Sequence, residues 1–175
     1  MTPQSYIADF IKDNIEYLRR KDIEGLYNLL EPYDRKYLTD TLINSGIDPL
    51  KFCEKIPKSY ASTLPIEEIK FGKKNKVIGS KAFSNCDWLE TLIIPEGIEL
   101  IGVMSFFACS NLTVVHFPKS LKTISKRAFE RCDAIEELIY AGTIDEWERL
   151  DAQIGFDSYS VGAIPVKCSD GETRL

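Results

Sequence analysis

Histidine is nearly missing from this chain of 175 residues: His116 stands alone, so no histidine pair is available to a metal or a nucleophile. No CxxC pair occurs, and no Gly-rich phosphate loop, His-Glu-x-x-His helix or Gly-x-Ser-x-Gly elbow is found. Basic residues are outnumbered, 22 against 27 acidic, for a net charge of −5 and a pI near 5.1. That balance excludes a general binder of nucleic-acid backbones, which needs concentrated Lys and Arg. Lys51, Lys55 and Lys58, then Lys70, Lys73, Lys74 and Lys76, are the only basic bias, and they read as solvated surface. No apolar run is long enough to span a bilayer. The amino end, Met1 to Ser5, lacks a basic region followed by an apolar core, so the expectation is a cytoplasmic protein without a secretory signal.

What the chain does have is repetition. Gly79 to Cys86, Gly102 to Cys109 and Ser125 to Cys132 are three versions of one phrase, 23 residues apart. Phe83, Phe106 and Phe129 share a column, as do Cys86, Cys109 and Cys132, and Ile78, Ile101 and Ile124. Ile69, Leu92, Val115 and Leu138 form a strand-like column, and Phe71, Ile94, Phe117 and Tyr140 form the next. A short strand and a second element at such a period predict a leucine-rich-repeat solenoid, whose units stack about 5 Å apart. Stacked thiols at that spacing admit metal or disulfide chemistry. The odd count of five cysteines and the lone histidine favour packing in the core, with no metal and no cofactor.

The ends differ in texture. Ile7, Phe10, Ile11, Ile15 and Leu18 predict one helix ending near Arg19, Arg20 and Lys21. Asp22 is placed to cap a second, carrying Leu26, Leu29 and Leu30. Tyr33, Tyr37, Leu38 and Leu42 predict a third, stopped at Gly46, and Asp48-Pro49 restarts the chain toward Cys53. These short amphipathic pieces bury best against the open first coil. Ile56-Pro57 matches Ile94-Pro95 and Phe117-Pro118, which predicts a degenerate first coil. Beyond Tyr140, Ile144 to Leu150 predicts a helix, Asp151 to Gly162 is turn-rich, and Ala163 to Cys168 predicts an edge strand. A turn at Ser169-Asp170-Gly171 then completes a hairpin with Glu172 to Leu175. The expected organisation is a helical cap over 1–55, a solenoid over 56–150 and a C-terminal cap over 151–175, all in one body of α+β repeat class.

Ile-Pro, then Leu121-Lys122-Thr123-Ile124, Ala128-Phe129-Glu130-Arg131-Cys132 and Ile135-Glu136-Glu137-Leu138-Ile139 together resemble the BspA-like leucine-rich repeats. The ending from Tyr140 through Trp147 to Gly171 resembles the segment that closes such arrays. This resemblance implies a protein-interaction or adhesion module, found in bacterial, protozoal and phage-borne proteins. A short helical start with few repeats is similar to the small cytoplasmic or phage-encoded members.

Two surfaces are candidates for a protein partner. The middle unit places Val103, Met104 and Phe107 where its neighbours carry Ser80, Lys81 and Ser84 or Lys126, Arg127 and Glu130; Leu100 flanks this apolar patch. On the strand face, alternation turns Lys70, Ile93, His116 and Ile139 outward, beside Glu68, Thr91, Val114 and Glu137. Acidic pairs such as Glu67-Glu68 and Glu136-Glu137 lack a cleft that would split their pKa values, so an enzyme is not expected. The expected partner is another protein, with a second copy of the chain as the alternative.

Overall fold

The columns set by the 23-residue period become stacked strands in a computed structural model that describes residues 3–152 and 164–174. Five strands form one parallel sheet: β1 (Lys55–Ile56), β2 (Val77–Ile78), β4 (Leu100–Ile101), β6 (Thr123–Ile124) and β8 (Asp151–Ala152). The second sheet runs β3 (Thr91–Ile93), β5 (Val114–Phe117), β7 (Glu137–Tyr140) and β9 (Pro165–Cys168) in parallel, then β10 (Gly171–Arg174) antiparallel to β9. Each coil from β2 onward crosses both sheets, and Ile78, Ile101 and Ile124 face Leu92, Val115, Leu138 and Val166 across a buried interior. Strands this short are not stable alone; stacking each coil on the next supplies the ladder and buries the apolar face.

Aromatic rings fill the space between the sheets. Phe83 stacks on Phe106 at 5.5 Å and Phe106 on Phe129 at 5.2 Å, nearly parallel at 11° and 7°. The column continues at both ends, through Tyr60 and Tyr27 toward the amino terminus and through Phe117, Trp147 and Tyr140 toward the carboxyl terminus. Beside it the cysteines close a second column. Each thiol donates to a carbonyl of the coil before: Cys86 to Ala61 at 3.4 Å, Cys109 to Phe83 at 3.2 Å and Cys132 to Phe106 at 2.9 Å. The bend between the two sheets repeats as well. Lys81, Met104 and Arg127 take left-handed backbone angles (φ 56°, 55° and 60°), as do Asn85, Ala108 and Arg131 four residues on (φ 56°, 55° and 61°). Non-glycine residues hold such angles only where the surroundings fix them. Here backbone bonds between successive bends do so, including Lys81 N–H to Val103 O at 3.0 Å and Asn85 N–H to Phe107 O at 2.8 Å.

Along one ridge the charges alternate by coil: Glu54, Lys76, Glu99, Lys122. Lys76 pairs with Glu54 at 3.2 Å and Lys122 with Glu99 at 2.6 Å.

The amino-terminal segment departs from expectation in several places. Residues 5–20 do not form one helix: α1 (Pro3–Asp13) and α2 (Ile15–Arg20) break at Asn14, whose side chain turns back to the Phe10 carbonyl at 2.9 Å. The break puts Ile15 in solvent instead of on the apolar face. In α3 (Ile23–Asn28), Asp22 caps Gly25 N–H at 2.9 Å as expected, but Leu29 lies beyond the helix and is exposed. Helix α4 (Arg35–Asn44) starts after Tyr33, which is also exposed, and Gly46 follows its end with φ 77°. Asp48 and Pro49 open a single 3-10 turn, Pro49–Lys51, instead of a longer helix.

Two register expectations need correction. Ile56 pairs with Ile78 in the first sheet and does not belong with Ile94 and Phe117, because it stands about one repeat before Ile78 and not a whole number of repeats before Ile94. Ile69 and Phe71 are half-buried and stand in no strand, so the second sheet begins at β3. In place of that strand, buried Asn75 ties the first coil to the cap. Its Nδ2 donates to the carbonyls of Leu50 (2.9 Å) and Cys53 (2.7 Å), and its Oδ1 accepts from Gly72 N–H (2.7 Å). At the other end, Thr143 and Glu146 form a capping box that starts α5 (Ile144–Arg149). The β9–β10 hairpin closes the second sheet, so β10, not β9, is its edge. Of the stretch Asp151 to Gly162, expected to be turn-rich, Asp151–Ala152 form β8 in the first sheet and 153–162 lie outside the described residues.

One core position is mismatched. Ser105 occupies the column of Ala82 and Ala128, is fully buried, and its hydroxyl has no partner among the described residues. Ser105→Ala is expected to raise stability by about 1 kcal/mol, by removing the cost of an unpaired buried hydroxyl. Phe106→Ala, which cuts the ring column at its centre, is expected to cost about 3–5 kcal/mol. Urea unfolding of both variants checks the pair; a lower midpoint for Ser105→Ala would give that hydroxyl a bonding role.

Candidate functional site

The outward side of the second sheet is a ladder set by strand register. Ile93, His116 and Ile139 are direct neighbours on β3, β5 and β7, and Lys167 on β9 follows Ile139. The adjacent row runs Thr91, Val114, Glu137. Parallel pairing repeats about every 5 Å, so these side chains make a continuous strip. Ile93 is 63% exposed, while Val114, His116 and Ile139 are half-buried by their neighbours. At the far end Lys167 forms an ion pair with Glu137, which holds its ammonium pKa above the ordinary lysine value. The strip is therefore apolar at β3 and charged at β9. Lys70, expected as its first member, sits outside the sheet and pairs with Glu68 at 3.7 Å.

The middle-unit residues occupy other ground. Leu100 is on β4 in the first sheet, between Val77 and Thr123. Val103, Met104 and Phe107 belong to the bend after β4 and are all half-buried. Met104 is apolar where a charged residue recurs, and its left-handed backbone is shared with Lys81 and Arg127. The Arg131 guanidinium lies over the Phe107 ring at 5.9 Å, so this patch is partly covered by the next coil. The eight candidate residues thus divide between two surfaces, with the strip the more open.

Trp88 is the residue that pattern reading missed. It is 62% exposed on the turn into β3, beside a depression of about 690 Å³ lined by Glu67, Asp87, Glu90 and Asn111. Its repeat equivalents are Asn111 and Ala134, so no column marked it; a lone tryptophan at a polar position was the available signal. A second hollow, of about 550 Å³, lies between the helical cap and residues 65–70, with Ile43, Ile47, Ile66 and Ile69 on its walls.

The chemistry of the thiols follows from burial. Cys53 is pushed up to about 11, chiefly by desolvation. Burial likewise raises Cys86, and contact with Cys109 followed by burial raises Cys132. All five cysteines are free, and no cluster of metal-ligating residues occurs among the described residues. No helix there is long and apolar enough to cross a membrane. Of the basic run Lys70, Lys73, Lys74 and Lys76, Lys70 pairs with Glu68 and Lys76 with Glu54.

Comparison with known proteins bears on the repeat. The model of the BspA type leucine rich repeat region matches residues 51–149 in six copies. A solved leucine rich cell surface protein from Faecalibacterium prausnitzii A2-165 is similar at 23% identity and a TM-score of 0.46, over 58% of this chain. The chain spans about a quarter of that protein, 25% of its length. No curated protein matches.

Buried, protonated thiols react slowly. Cys168, half-buried at the sheet end, is expected to be the first alkylated in the native protein, with Cys53, Cys86, Cys109 and Cys132 released only on unfolding. Mass spectrometry after a timed iodoacetamide pulse reads this; early labelling of Cys109 would contradict a closed thiol column.

Proposed function

Because this chain belongs to the BspA-type leucine-rich repeat family, we propose that it is a non-enzymatic protein-interaction module that binds its partner on the outward face of the second sheet. The observation that carries this reading is the Ile93–His116–Ile139 ladder, led by an isoleucine that is 63% exposed. An open apolar residue at the head of a rigid strip, grading into charge at Lys167 and Glu137, suits a protein surface with an apolar anchor and a polar rim. Val114 widens that anchor on the neighbouring row. The bend carrying Val103, Met104 and Phe107, with Leu100 beside it, is the second candidate; Arg131 over Phe107 reduces what it offers. On the strip the charged groups Lys167 and Glu137 pair with each other, which suits the polar rim of a binding surface.

Affinity capture from the source cells, with wild type and two variants, tests the assignment. Ile93→Glu with Ile139→Glu is expected to lose the partner at least about tenfold while melting stays near wild type, because both side chains face outward. Loss with Met104→Glu and Phe107→Glu instead would move the site to the bend. Light scattering over a concentration series separates a second copy from a foreign protein: a wild-type dimer that dissociates in one variant makes that face self-complementary.

A further inference from the structure

The first bend of the array has no coil before it, and helix α4 takes that place. Within the array, alternate amides of one bend donate to carbonyls of the next: Ser59, Ala61 and Thr63 N–H reach Ser80, Ala82 and Ser84 O at 3.1, 2.7 and 2.9 Å. The matching carbonyls of the first bend accept from side chains of α4 instead. Arg35 Nη1 donates to Lys58 O at 3.3 Å, and the Thr39 hydroxyl donates to Tyr60 O. A helix does not copy the outline of a coil, and a hollow of about 250 Å³ remains at the junction. Tyr33, Lys36, Lys58, Ser59, Thr63 and Lys81 stand on its walls.

The chemistry of this hollow is one-sided. Three lysines line it and no acidic side chain does, on a chain whose net charge is −5. None of the three takes part in an ion pair among the described residues. Lys36 is fixed in place: its Nζ donates to Thr63 Oγ1 at 3.0 Å and lies over the Tyr33 and Tyr37 rings at 4.7 and 5.1 Å. An ammonium has three donors, so Lys36 keeps others to offer. Ser59 is the independent observation. Only 8% of it is exposed, yet its hydroxyl bonds to nothing among the described residues. Unlike Ser105, it opens onto a hollow. A buried hydroxyl held without a protein partner, beside three unpaired cations, is a donor set for an anion.

From this geometry we infer that the junction of α4 with the first bend is a binding site for a phosphate monoester. Such a group carries about −1.5 to −2 charges at neutral pH and three acceptor oxygens. It can satisfy the Ser59 hydroxyl and the three ammonium groups together, whereas a carboxylate brings one charge. The hollow falls below the roughly 300–1,000 Å³ of pockets that enclose larger ligands, which suits a compact group. The site shares no residue with the outward strip or with the bend after β4, so it goes beyond the surface proposed above and does not depend on it.

Fluorescence anisotropy of the full chain with a short labelled peptide, Gly and Ala around one phosphoserine, tests the site. Saturable binding is expected, at least about tenfold tighter than that of the unphosphorylated peptide. Lys58→Glu with Lys81→Glu is expected to weaken it at least about tenfold at unchanged melting temperature, since both side chains are exposed. Ser59→Ala is expected to weaken it about tenfold, through loss of one hydrogen bond to a charged group. Lys73→Glu with Lys74→Glu, an equal change of charge away from the hollow, is expected to leave it unchanged. Competition identifies the source of the phosphate. Displacement by free O-phosphoserine at the peptide's own half-saturating concentration assigns the site to small phosphate esters; a need for at least about tenfold more assigns it to a phosphorylated side chain of a protein. No binding of the phosphopeptide, equal binding of the unphosphorylated one, or equal loss in both lysine pairs would overturn the site. The Ile93 and Ile139 variant is expected to bind the phosphopeptide as wild type does, so failure of the sheet-face reading and failure of this one are read separately.

Discussion

Ring-on-ring stacking at the spacing of adjacent strands is the constraint on which the remaining structure rests. Parallel strands fix the distance between coils at about 5 Å. The Phe83, Phe106 and Phe129 rings, with centroids 5.5 and 5.2 Å apart, fill that step while staying nearly parallel. Because the rings and the ladders share one repeat distance, each coil can be laid on the last without distortion. Tyr60 carries the column into the helical cap, where Tyr27 stacks on it at 5.6 Å and also bonds Thr39 at 2.6 Å. Trp147 receives it at the other end, 5.6 Å from Phe117. Cap, coils and closing helix are thereby joined by one continuous aromatic interior.

The cysteines answer a need that the rings create. A phenylalanine cannot bond to the carbonyls exposed at the bend, and the buried main chain still requires donors. A thiol is small enough to fit beside the ring and weakly polar enough to be buried, and it donates a hydrogen bond to a carbonyl of the preceding coil. The same bend holds two left-handed residues per coil, which cross-coil backbone bonds keep in place. The surface proposed for binding lies among the positions this framework leaves open. The strip on the second sheet is a by-product of coil geometry and requires no specialised loop.

Much of this was legible in the sequence because a repeat provides its own alignment. Comparing Phe83 with Phe106 and Phe129 locates the core, and the opposite parity of Ile93, His116 and Ile139 locates the outward row. Legibility failed where the repeat is imperfect. Ile56-Pro57 looked like the end of a second-sheet strand because the dipeptide matched, but its distance from Ile94 is no multiple of the repeat, and it pairs with Ile78 in the first sheet. Ile69 and Phe71 carry the strand pattern without a strand, since Asn75 fastens the chain there to the cap instead. In the helical segment no second copy was available for comparison. A single side-chain bond at Asn14 was enough to break an otherwise regular apolar pattern. Trp88 escaped for the opposite reason: a column that carries tryptophan, asparagine and alanine in turn has no consensus to break.

The ridge of Glu54, Lys76, Glu99 and Lys122 bears on how such an array can change its length over generations. Shape alone would let a lineage gain or lose coils singly, since every coil has the same footprint. Charge on this ridge has a period of two coils, and Glu99 feels Lys122 first and Lys76 more weakly, so its carboxyl is held below the ordinary glutamate range. Excising one internal coil would set like charges side by side, whereas excising two would restore the alternation. The heritable quantum of this ridge is accordingly a pair of coils, although the architectural quantum is one.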